Sequence, residues 1–166
     1  MKFFKSYILP FLVLFVVMLV DGHLSNILTN LFPNNIHLLS HLLLIFILYI
    51  SISLSENTNF IMLLLIGLLY DAYYFHIIGI STLLLPLVGI VISKYNSVLM
   101  SNRVSRFLTV AILVFFFEVA TFALANVTHL AQMSFADFVV YTIAPTMVSN
   151  LLFFLLLQPI LEKIYL

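Results

Sequence analysis

Polar positions along the chain gather into a few short clusters, and the stretches between them are apolar on every face. They lack both the two-residue alternation of a half-buried strand and the one-sided stripe of a water-facing helix. A helix that is apolar all round lies in a membrane or a large core, and crossing a bilayer takes about 20 such residues. The first run, Tyr7 to Val20, follows Lys2 and Lys5 and is closed by Asp21, Gly22 and His23. A removable signal needs small residues before its cleavage point, and here Asp21 interrupts Val20 and Gly22, so the run is expected to stay as an uncleaved span. Pro33, Asn34 and Asn35 mark a reversal before the second run. From Phe60 to Ser93 the apolar stretch is too long for one span, and His76 to Gly79 is where it breaks. A break there places Lys94, Arg103 and Arg106 on the same side as Lys2, Lys5 and Lys163, as the positive-inside rule requires. The pattern therefore predicts an all-α, polytopic bundle of six transmembrane helices in a single membrane domain, residues 1–166. The spans fall at about 7–22, 36–55, 60–75, 77–93, 107–126 and 138–157, with both termini cytoplasmic. The outward loops then carry Asp21, Asp137, His23, His37, His76 and His129, and no Lys or Arg.

Composition narrows the function. Of 166 residues 64% are hydrophobic and 7% charged, whereas soluble domains have about a quarter of their residues charged. Six Lys and Arg balance six Asp and Glu, so the electrostatic footprint that nucleic-acid binding needs is missing. The absence of cysteine excludes disulfides, thiol catalysis and thiolate metal sites. The sequence holds no G-x-S-x-G, no H-E-x-x-H and no Gly-rich phosphate loop, which favours an interaction role over chemistry, without cofactor or metal.

Two carboxylates fall within predicted spans, where each needs a partner. Glu118 sits near the middle of the fifth span, at the depth of Thr146 and about one turn from Asn150 on the sixth. It reads as a bundle-packing group bonded to one of them, or alternatively as part of a proton or ion relay or a contact with a partner's helix. Asp71, in the outer part of the third span, opposes Ser81 and Thr82 at the start of the fourth and can cap it. Gly67, Gly79 and Gly89, three of the four glycines, lie in this hairpin and suit close backbone approach or a tight reversal. Pro86 is expected to kink the fourth span, Pro145 lies in the first turns of the sixth, and Pro159 is expected to end it. His37 and His41 are one helical turn apart, too few for a metal site without a third ligand. The four outward histidines suit an outer pH sensor.

The hairpin Gly67-Leu-Leu-Tyr-Asp71, then Gly79-Ile-Ser-Thr-Leu-Leu-Leu-Pro-Leu-Val-Gly89, with Pro145 and Asn150 in the last span, resembles the MreD family of rod-shape-determining membrane proteins over essentially the whole chain. The resemblance implies a non-enzymatic scaffold of the bacterial elongation machinery, the elongasome, in the cell membrane. Its partner would be the bitopic protein MreC, and through it, or by direct contact, the glycan polymerase RodA and a class B penicillin-binding protein. It transfers Gly67, Asp71, Gly79, Gly89 and Asn150 as bundle-organising residues; Glu118 and the histidines have no counterpart in its pattern. The alternative is the substrate-binding subunit of an energy-coupling-factor vitamin transporter, also a compact six-helix protein. Against it, Tyr7 to Val20 has no Ala, Gly or Ser to dock a coupling subunit, and the outer loops offer only Asn34, Asn35, His37 and Gln132 to bind a vitamin.

Overall fold

A computed structural model describes residues 7–32, 36–76, 78–128 and 133–166. Lys2, Lys5, Pro33, Asn34, Asn35, His129 and Gln132 lie outside the described residues. The described residues form six helices and no strand: α1 (Leu9–Leu31), α2 (Leu42–Ser53), α3 (Glu56–Tyr70), α4 (Ile80–Leu99), α5 (Arg103–Val127) and α6 (Phe135–Tyr165). Four of them, α1, α4, α5 and α6, are long and apolar enough to cross a membrane. α2 is shorter, and α3 gains length from a widened turn, Asp71–Phe75, at its end.

α2 is the axis of the bundle. Of the nine residues Leu42–Ile50 that make up most of it, seven are buried, and Ile45, Ile47, Leu48 and Tyr49 pack against Leu14 and Met18 of α1, Val114 of α5 and Phe154 of α6 in one core. The hairpin of α3 and α4 closes another side through Leu63, Ile66 and Leu85. Outward faces remain apolar, with Val16, Leu65, Leu87, Phe116, Val148 and Leu156 exposed, as a surface in contact with lipid chains requires.

Helix ends follow local chemistry. Pro10 stands in the first turn of α1, where its missing N–H costs nothing. Asn102 caps α5 by accepting from the Ser105 N–H at 2.8 Å, and Ser134 caps α6 by accepting from the Asp137 N–H at 3.1 Å. These caps start α5 at Arg103 and α6 at Phe135, earlier than the expected 107 and 138.

Several expectations are corrected. α1 continues to Leu31, because Leu24, Ile27, Leu28 and Leu31 keep helical spacing beyond the Asp21-Gly22-His23 cluster; Asp21 is buried within the helix, not in an outer loop. The expected helix 36–55 begins only at Leu42, and 36–41 is non-helical. α4 runs on through Pro86, and its backbone departs from helix at Tyr95 instead (φ −112°, ψ 17°). α6 likewise passes Pro159 and reaches Tyr165, its last turns tied down where Glu162 meets Arg103 and Arg106, both N···O distances 3.0 Å. The break at His76 to Gly79 is where the pattern put it: His76 adopts a left-handed conformation (φ 53°) and Gly79 a φ of 141°.

Candidate functional site

Residues 36–41 lie outside helix, and apart from the His41 C=O, which accepts from the Leu44 and Ile45 N–H groups of α2, their backbone groups need partners where orphaned ones cost several kcal/mol. Their partners are side chains of α1 and α6. Thr29 Oγ1 accepts from the Leu38 N–H at 3.2 Å and donates to the Leu38 carbonyl at 3.1 Å. Ser25 Oγ accepts from the Ser40 N–H at 2.8 Å. Thr146 Oγ1 accepts from the Leu39 N–H at 3.1 Å and donates to the His37 carbonyl at 3.4 Å. Asn150, fully buried, does what a peptide group of a neighbouring strand would do. Its Oδ1 accepts from the His41 N–H and its Nδ2 donates to the Leu39 carbonyl, both at 2.7 Å.

A further bond follows from a proline. Pro145 has no N–H, so the carbonyl four residues before it, that of Tyr141, has no helical donor; it lies in the widened turn Val139–Ile143 and accepts from the His37 N–H at 2.8 Å. Widened turns of this kind are frequent at functional sites.

Two helix N-termini are held by a carboxylate from the preceding helix. Asp21 accepts from the Leu42 N–H at 2.8 Å and the Leu43 N–H at 3.4 Å at the start of α2, and from Ser40 Oγ. Asp71 accepts from the N–H groups of Gly79, Ser81 and Thr82 at 2.8, 2.7 and 3.0 Å and from Thr82 Oγ1 at 2.8 Å at the start of α4. A carboxylate there meets both the unpaired N–H groups and the positive end of the helix dipole.

Glycines bring the helices close enough for these bonds. A Cβ on Gly67 would lie 2.6 Å from the Ser81 carbonyl oxygen and 2.8 Å from Thr82 Cα, both backbone. On Gly89 it would strike Leu63 Cδ1 at 2.3 Å, beside Asn59, whose Nδ2 donates to the Gly89 carbonyl at 3.2 Å and to Ser93 Oγ at 2.9 Å. On Gly22 it would overlap the Tyr74 ring, whose hydroxyl donates to the Met18 carbonyl at 3.1 Å. Gly79 differs: space around it is open, and its backbone conformation is what calls for glycine.

Glu118 does not bond Thr146 or Asn150, which are engaged on residues 36–41; its partner is the Nε2 of His41, buried with it and packed edge-on against Phe117 at 5.4 Å. Because 36–41 is non-helical, His37 and His41 are not one helical turn apart, which removes the basis of a paired metal reading, and no group of three metal-ligating side chains occurs among the described residues. His23 and His76 are exposed, and the buried histidine is His41, not one of the four assigned to an outer sensor.

What distinguishes this arrangement is a glycine-tight α3–α4 hairpin capped by Asp71 together with an asparagine on the last helix that clamps unwound chain. A family model described as MreD, rod shape-determining protein MreD, matches residues 5–166. The chain belongs to the MreD family. It is 42% identical over 159 residues to the cell shape-determining protein MreD of Streptococcus pneumoniae (strain ATCC BAA-255 / R6), covering 96% of this chain and 93% of that relative. No solved structure matches. Gly67, Asp71, Gly79, Gly89, Thr146 and Asn150, all read from the sequence, thus lie at helix contacts or on the clamps of an MreD-family protein. Asp21, Ser25, Thr29, Ser40 and Asn59 are clamp residues that the sequence pattern does not single out, and His41, weighed as a metal ligand, is instead the partner of Glu118. The continued helical spacing after Asp21 was the available signal for the first three, since it puts Asp21, Ser25 and Thr29 on one face of α1 at four-residue steps.

Proposed function

We propose that this MreD-family protein is a non-enzymatic scaffold that spans the bacterial plasma membrane six times with both termini cytoplasmic. In this reading it binds MreC and, through it or directly, helps regulate RodA and a class B penicillin-binding protein in peptidoglycan synthesis. The family supplies the role in cell shape. One observation carries the scaffold reading: Asp21, Asp71, Thr146 and Asn150 are all engaged on backbone groups of neighbouring elements, and Glu118 on His41. Side chains so engaged hold helices in place; they do not converge on a substrate. The charge distribution supports the orientation, since Arg103 and Arg106 at the α4–α5 turn meet Glu162 near the end of α6, so the described Lys and Arg residues gather at one end of the bundle. Apolar outer faces on every long helix suit association with a partner's transmembrane helix, which in lipid depends on packing.

Affinity purification of the tagged protein from its own membranes in mild detergent, with mass spectrometry of what stays bound, tests the proposal. The expected result is a bitopic MreC-like protein with peptidoglycan polymerase and transpeptidase subunits. Recovery of two ATPases and a coupling membrane subunit would overturn it in favour of vitamin capture.

A further inference from the structure

Residues 100–102 turn the chain from α4 into α5 at the end of the bundle where the described Lys and Arg residues gather. A groove of about 640 Å³ opens there. Its rim is polar, from Ser101, Asn102, Arg103 and Ser105, and its wall is apolar, from Val98 of α4 and Val104 and Leu108 of α5. Further along the same two helices lies a second groove of about 310 Å³, walled by apolar side chains that include Leu87 and Val91 of α4 and Ile112 and Phe116 of α5. Val104, Leu108, Ile112 and Phe116 are all exposed and recur every four residues, so both grooves lie on one face of α5. Leu87, Val91 and Val98, also exposed, follow at steps of four and seven on α4. From Val104 to Phe116 is about 18 Å along the helix, against about 15 Å for one leaflet's half of the hydrocarbon core. The face is thus polar at the membrane surface and apolar for the depth of one leaflet, which is the outline of a phospholipid.

Charge decides which kind. Glu162 is shared by Arg103 and Arg106, each N···O distance being 3.0 Å, and also accepts from Gln158 at 2.8 Å. Two guanidinium groups against one carboxylate leave one positive charge in excess. Arg106 is buried and donates to the Met100 carbonyl as well, so the excess reaches the surface at Arg103, which is largely exposed. Arg103 spends its Nε and one terminal nitrogen on Glu162 and keeps the N–H groups of the other for a further acceptor. Ser101 beside it is exposed, and its Oγ accepts from Asn102, which leaves its hydroxyl proton to donate. Other outward grooves lack this chemistry. Those between α1 and α6, about 600 Å³, and between α1 and α3, about 360 Å³, have no charged side chain in their walls and no means of preferring one headgroup.

We propose that the α4–α5 face binds one anionic phospholipid of the inner leaflet, with its phosphate against Arg103 and the Ser101 hydroxyl and an acyl chain along Val104, Leu108 and Ile112. The lipid then ties the α4–α5 turn to the membrane surface beside the Arg103–Glu162 contact. This goes beyond the scaffold reading and rests on it only for the cytoplasmic placement of this end.

The test uses the full-length protein, stripped of bound lipid in mild detergent, with phosphatidylglycerol or phosphatidylcholine of the same chains added and native mass spectrometry of what stays bound. Only this chain and lipid are present, so the result does not depend on any partner in the shape machinery. A single phosphatidylglycerol is expected to be retained and phosphatidylcholine to be lost. Arg103→Gln should weaken retention of phosphatidylglycerol at least about fivefold, the worth of one basic side chain at a membrane surface. Lys163→Gln removes the same charge from the same end of the bundle but does not line the groove, and should leave retention unchanged. Val104→Trp keeps every charge and fills the groove, and should weaken retention as Arg103→Gln does. Equal retention of the two lipids by the unaltered chain overturns the proposal and needs no folded variant. An equal loss in Arg103→Gln and Lys163→Gln also overturns it, because the attraction would then be to the charged end as a whole. So does a polypeptide that stays on the protein purified from its own membranes and is displaced by Val104→Trp, since the face would then receive a helix.

Discussion

At the scale of single residues, the buried polar side chains divide by what they hold. Asn150 holds two backbone groups that have no other partner, so Asn150→Ala leaves one donor and one acceptor buried and unpaired. The expected cost is about 2–4 kcal/mol, read as a lower melting temperature in detergent, with Thr146→Val smaller because the Tyr141–His37 and Asn150 bonds persist beside it. Asp71 presents two acceptor oxygens to four donors. Asp71→Asn keeps one of them and turns an NH2 group towards N–H groups, so it is expected to be costly rather than mild, with faster hydrogen exchange at Ser81 and Thr82. The two hairpin glycines should fail for different reasons. Gly67→Leu drives a side chain into the backbone of α4 and should cost about 3 kcal/mol, rescued by no neighbouring small residue. Gly79→Ala has open space and should cost only the backbone strain, about 1–2 kcal/mol. Melting temperatures of the two variants would show that difference in size.

At the scale of elements, hydropathy made the long helices legible because lipid-facing and core-facing residues are both apolar, which leaves polar clusters to mark the ends. It misplaced ends wherever a polar residue was buried by a tertiary partner. Asp21 looked like the close of a span and is a clamp inside a longer one, and Ile36–His41 looked helical because its partners are far away in sequence on α1, α5 and α6. Prolines misled for a related reason: the effect of a missing N–H depends on what the freed carbonyl finds. At Pro145 it finds His37, and the outcome is a widened turn that joins α6 to the unwound segment. Pro145→Ala restores a helical donor to Tyr141 and competes with the His37 N–H. Faster exchange of the His37 amide, with little change in overall helicity by circular dichroism, is the expected outcome.

At the scale of the whole molecule, the clamps share one logic: short polar side chains from helices that reach the surface fix a central element that cannot satisfy itself. The Arg103–Glu162 tie between α5 and α6 is weaker, since Arg103 is largely exposed, with 74% of its side chain accessible, and exposed ion pairs contribute at most about 1 kcal/mol. The candidate site was half visible in the sequence. Its glycines, Asp71, Thr146 and Asn150 stand out as rare polar or small residues in apolar runs, whereas Asn59 and His41 sit near predicted span ends and take their meaning only from the fold. We propose that the protein works by holding its helices in register and performs no chemistry. It is tested most directly by plotting cell-shape complementation of Asn150→Ala, Asp71→Asn, Gly67→Leu and Gly79→Ala proteins against the melting temperatures of the same purified variants. Shape function is expected to fall in step with thermal stability, with Gly67→Leu and Asn150→Ala lowest and Gly79→Ala nearest to the unaltered chain. A variant that keeps full stability and membrane level yet loses shape function would contradict it, because its polar group would then act on something other than the bundle.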